Sequence, residues 1–116
     1  MFFKTIERNS DIIKGYRVSE HTVYGSARSL VATLDLADGS SLRVKDYLFL
    51  DGSRKYSYHW QDNRGRLVCR WDNSSHHSEI ATHPHHKHVP DSVVTASGER
   101  DLDEVLAVIR RLVEKV

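Results

Sequence analysis

Apolar positions along this chain follow two spacings, and the change from one to the other outlines a fold. Leu30, Ala32, Leu34 and Leu36 alternate with Val31, Thr33 and Asp35, and Leu42, Val44 and Leu48 share one side of the next run. Period-two alternation predicts half-buried strands, with Asp38-Gly39 as the turn between them. A three-residue loop over 38–40 would set Leu36 against Leu42 and Leu34 against Val44. Asp46 would then face inward opposite Ala32, where a bulge or the end of pairing is expected. At the far end the period lengthens: Leu102, Val105, Leu106, Ile109, Leu112, Val113 and Val116 make one helical stripe, opened by Asp101 as N-cap with Glu104 three residues on.

Between these segments, Asp51-Gly52-Ser53 turns the chain into Arg54–Gln61, and Asp62-Asn63-Arg64-Gly65 reads as a hairpin turn. Trp60 then opposes Leu67, Tyr58 opposes Cys69 and Tyr56 opposes Trp71, an apolar side suited to packing under the C-terminal helix. The other side carries Lys55 opposite Asp72, Ser57 opposite Arg70, His59 opposite Val68 and Gln61 opposite Arg66. A slip of one residue would mix the two sides. Upstream, Phe2, Phe3 and Ile6 predict a short amphipathic helix ending near Asn9-Ser10, followed by an edge strand from Ile12 to about Glu20 and a loop over 21–28. A short last strand is expected over 92–95. The chain thus predicts one α+β domain: an antiparallel meander of four to five strands, a short N-terminal helix, and a C-terminal helix packed on one face.

Length and charge narrow the classes. A chain of 116 residues can bury a core without metals or disulfides, and its single cysteine, Cys69, at an inward strand position, reads as core and suits a reducing cytoplasm. The opening MFFKTIERNS has neither a long apolar run nor a small-residue cleavage site, so no secretory signal or membrane span is expected. A net charge of +1 argues against binding nucleic acid by charge alone. The distribution is less even: residues 54–88 hold six Lys/Arg against three Asp/Glu, and seven of the eight histidines. Cation and imidazole therefore concentrate together, as a site for phosphate or an acidic partner requires.

Six of those histidines fall in His76-His77 and in His83-Pro84-His85-His86-Lys87-His88. Three readings fit them. They could be general acids and bases for metal-free RNA cleavage, since imidazole titrates near neutrality; His59, His85, His86 and His88 would move protons, with Arg70 and Lys87 at the phosphate and Lys55, Arg66, Asp72, His76 and His77 around the substrate. They could instead hold a divalent transition metal such as zinc through His83, His85, His86 and His88, either His83 with His85 or His86 with His88 chelating and His59 or Asp72 completing the shell, or form a non-catalytic metal- or partner-binding module, although no HExxH or CxxC pattern is present. Or they could be a histidine-rich surface loop with no site at all.

The combination of KYSYHWQD, RWDN followed by His76-His77, HPHHKHVP, and a helix opened by DLDEVL resembles the TumE family of prokaryotic toxin-antitoxin toxins. The likeness is closest over 54–89 and extends loosely over 29–116. It implies a small cytoplasmic toxin with a cognate antitoxin protein as partner, acting on RNA or on translation. No residue role follows from it, so the assignments above rest on chemistry alone.

Overall fold

Residues 2–113 are described by the structure, a computed structural model. Helix α1 (Phe2–Arg8) leads into strands β1 (Ile13–Tyr24), β2 (Ala27–Leu36), β3 (Ser41–Leu48), β4 (Arg54–Gln61), β5 (Leu67–Asp72), β6 (His86–Val89) and β7 (Val93–Ala96), and helix α2 (Leu102–Val113) ends the described chain. The strands form one antiparallel sheet in chain order. The α+β meander with a helix at each end is as expected, but it has seven strands rather than four or five. One addition is β6, cut from the histidine-rich stretch, and the other is β7, the short strand anticipated near 92–95. The expected loop over 21–28 is instead a two-residue turn at Gly25-Ser26, with Tyr24 paired to Ala27.

Three of the hairpin loops share one construction. In Leu36–Ser40, Phe49–Ser53 and Asp62–Arg66 the first residue's N–H donates to the fifth residue's carbonyl, and the N–H of the fourth, a glycine, donates back to the first carbonyl. Gly39, Gly52 and Gly65 have φ of 88°, 86° and 79°, a region that side chains with a Cβ avoid. This construction moves the pairing by two residues from the expected register. Leu34 faces Leu42 and Ala32 faces Val44, while Tyr58 faces Trp71 and Trp60 faces Cys69, with an irregularity beside Gln61. A shift of two keeps every side chain on its expected face, because strand side chains alternate with period two.

Both helices cover one side of the sheet. Ile6 of α1 and Val105, Leu106 and Ile109 of α2 join Leu34, Leu42, Val44, Tyr56, Tyr58, Trp60 and Trp71 in a single core. Polar intrusions on this side are paired, with the exception of Trp71 Nε1. Trp60 Nε1 donates to Ser40 Oγ at 2.9 Å. Asp46, expected to interrupt pairing, continues the ladder opposite Leu30 and Tyr56, and accepts from Arg54 Nε, Arg54 Nη2 and Tyr58 Oη at 2.9 Å each. The α2 N-terminus is capped as the sequence implies, with Glu104 N donating to Asp101 Oδ1 at 2.8 Å. Leu112, assigned to the buried stripe, is half exposed, and Val116 lies outside the described residues. No helix among the described residues is long and apolar enough to cross a membrane.

Candidate functional site

The uncovered side of the sheet carries the charge. Antiparallel pairing aligns one row across four strands, Arg43 beside His59, His59 beside Arg70, and Arg70 beside His88. The next row runs Lys45, Ser57, Asp72, His86. Each of these residues alternates with core residues such as Val44, Tyr58 and Trp71, so the packing of one face sets all of them on the other, where Asp72 and His86 are nevertheless buried by their neighbours. Between the rows and the segment after β5 lies a cleft of about 450 Å³, lined among others by Lys45, Tyr47, Lys55, Ser57, Arg70 and His76.

His59 sits between two arginines of neighbouring strands. Burial, and then the Arg70 charge, hold its imidazole below the ordinary histidine value. Its Nδ1 is buried with no hydrogen-bond partner among the described residues. Arg43, Lys45 and Lys55 have no ion pair among the described residues, whereas Arg70 Nε donates to Asp72 Oδ2 at 3.2 Å.

Asp72, which also lines the cleft, is the hub of a polar cluster. Burial works to raise its carboxyl, but the Ser74 backbone N–H, the facing His86 and Arg70 outweigh it and hold the group below the ordinary aspartate value. His86, 1% exposed, has Nε2 at 2.8 Å from Asp72 Oδ1, and His88 Nε2 is 3.3 Å from Asp72 Oδ2. The two Nε2 atoms are 3.1 Å apart, and the His77 ring meets both imidazoles edge-on.

Of the residues singled out from the sequence, His59, Arg70, Lys55, Asp72, His76, His77, His86 and His88 are thus gathered on the open side. Three are not. His85 stacks on Tyr56 and its Nδ1 lies 2.7 Å from Tyr56 Oη, beside the helix-covered face. Lys87 pairs with Trp71 on that face and reaches Glu99 at 3.9 Å. Arg66 is exposed at the β4–β5 turn, ion-paired to Asp62. His83 is also exposed, its Nε2 3.5 Å from the Ser75 carbonyl, so the four-histidine set 83, 85, 86 and 88 does not converge.

Arg43, Lys45 and Tyr47 were missed. Their signal was present: polar residues alternating with Leu42 and Val44 in β3 must share a face with His59 once β3 pairs with β4. Cys69 is a core thiol, pushed up to about 11 by burial.

No curated protein and no solved structure matches this chain. A family model described as Toxin TumE matches residues 2–115, well beyond the segment over which the sequence motifs were closest. The match spans both helices, all seven strands and the open-face cluster alike, and so the chain belongs to the TumE toxin family.

Proposed function

We propose that this chain is the toxin of a type II toxin-antitoxin pair and that it cleaves RNA on the open face of its sheet. The observation that carries the reading is the row Arg43, His59, Arg70 beside a cleft whose lysines, Lys45 and Lys55, lack ion partners among the described residues. Cleavage at a 2′-hydroxyl needs a base for that proton, an acid for the leaving 5′-oxygen, and cations at the phosphate. His59, held neutral by burial and by Arg70, is the base. Arg70 and Lys45 hold the phosphate, and Lys55 extends the path of the backbone. His76, exposed at the cleft rim, is the proton donor. Tyr47 offers a ring to an unpaired base at the same rim, supported by its stack on Phe49. The partner that a toxin family implies, an antitoxin, would silence the chain by occupying or deforming this cleft.

Incubating the purified chain with single-stranded RNA and analysing the ends tests the reading. Products with 2′,3′-cyclic or 3′-phosphate ends are expected, because the internal 2′-oxygen is the nucleophile. Intact RNA under conditions where the chain arrests growth would remove RNA as the substrate.

A further inference from the structure

His86 Nδ1 lies 2.9 Å from the Pro84 carbonyl, which can only accept, so Nδ1 carries a proton and Nε2 faces inward. There it meets Asp72 Oδ1 at 2.8 Å and His88 Nε2 at 3.1 Å, while His88 Nε2 meets Asp72 Oδ2 at 3.3 Å. These three groups form a closed triangle. With Asp72 an ordinary carboxylate, no assignment of protons satisfies all three sides. Protonating both Nε2 atoms sets two N–H groups against each other; protonating one leaves the other's lone pair against the carboxylate. A cation at the centre satisfies every side at once.

The spacing fits such a cation. A tetrahedral zinc with ligands at about 2.0–2.2 Å separates neighbouring ligand atoms by roughly 3.3 Å, close to the 2.8–3.3 Å found. The nearest further donor is His77, whose ring nitrogen lies within 4.8 Å of those of His86 and His88, so its ring must move inward to complete the shell. His77 Nδ1 is turned to Glu79 Oε1 at 3.4 Å, which leaves Nε2 as its ligand atom. Two of the imidazoles are thus anchored on their far nitrogen by an oxygen acceptor, the arrangement that orients histidine ligands in metal sites.

We propose that Asp72, His77, His86 and His88 bind one divalent transition metal, with zinc best suited to three imidazoles and a carboxylate. The metal ties the segment 73–85, which has neither helix nor strand, to β5 and β6, and so fixes His76 at the cleft. This site keeps His86, His88 and Asp72 from the sequence-based metal reading, drops His83 and His85, and adds His77. It does not depend on RNA being the substrate.

The test uses the full chain, expressed without a histidine tag and purified without immobilised-metal resin. After stripping, titration with cobalt(II) is expected to give one metal per chain with the visible absorption of a four-coordinate site, bleached by one equivalent of zinc. His77→Ala and His88→Ala should each weaken zinc binding more than about 100-fold, beyond what loss of an outer-shell partner costs. His83→Ala should leave it unchanged. Because a ligand variant could lose its fold, the wild-type melting temperature is measured as well, and should rise with zinc and fall back with chelator. Failure of the wild type to take up cobalt, or equal loss in His83→Ala and His77→Ala, overturns the assignment. Metal uptake is read without RNA, so its failure and a failure of RNA cleavage remain separate results.

Discussion

The two sides of the sheet differ less in how many polar groups they carry than in whether those groups are already satisfied. On the helix-covered side, Asp46 is held by Arg54 and Tyr58, Trp60 by Ser40, and Lys87 by Glu99, with Trp71 Nε1 the exception. On the open side, Arg43, Lys45 and Lys55 have no ion pair and His59 Nδ1 has no hydrogen bond among the described residues. A buried polar group that is paired belongs to the scaffold, since leaving it unpaired would cost the fold. A surface row of cations without partners is available to an anion. The comparison separates residues whose loss unfolds the chain from residues whose loss disarms it.

That separation is broken most severely through the covered face. Leu106 is fully buried, so Leu106→Ala is expected to destabilise by about 2–5 kcal/mol in urea denaturation; an unchanged midpoint would mean that α2 packs through another face. His86→Ala comes next and crosses the divide. At 1% exposure it faces a buried carboxylate. Its loss should cost about 1–3 kcal/mol, the range for leaving a buried hydrogen-bonding partner unsatisfied. Asp101→Ala, which removes only the α2 N-cap, should cost about 1 kcal/mol.

The opposite result is expected from Lys45→Ala with Lys55→Ala. Both side chains are exposed, so stability should stay within about 0.5 kcal/mol per site. Affinity for single-stranded RNA should fall, and the slope of log affinity against log salt should shrink by roughly 1.4, as for two lost phosphate contacts. An unchanged slope would exclude these lysines from the RNA path.

The smallest effect is on pH. Burial, chiefly, holds His59 and His85 below their ordinary value, so the unfolded chain accepts protons that the folded chain refuses. This contribution to stability is full above the unfolded value of about 6.5 and is lost as pH falls through it toward the folded values. Stability should therefore decline as pH falls below about 6.5, and His59→Gln should flatten the decline; a decline of equal steepness would assign it to other groups.

How much of this was legible follows from the period of a strand. Alternation assigned Tyr58, Trp60 and Trp71 to one face and His59, Arg70 and Asp72 to the other, and an error of two residues in register left those assignments intact. The neighbours across the strands were wrong for the same reason: matching apolar faces is degenerate at even shifts, and only the loop hydrogen bonds ending in Gly39 and Gly65 decide between them. The histidine tract was harder. Which of six imidazoles converge depends on where β6 begins, and its start at His86 sends His86 and His88 to Asp72 but leaves His85 on Tyr56. No local pattern in HPHHKH distinguishes these fates. Arg43 and Lys45 were hidden differently, since exposed cations in an amphipathic strand look like solvation until the next strand brings His59 alongside.

The central claim, that the open face cleaves RNA, is tested most directly by single-turnover cleavage of a defined RNA by the wild type and by His59→Ala with Arg70→Ala. Cleavage by the wild type, a rate loss of at least ~10²–10⁴-fold in the double variant, and a cooperative melting transition above the assay temperature in both are expected. Cleavage at the wild-type rate by a folded double variant would contradict the account.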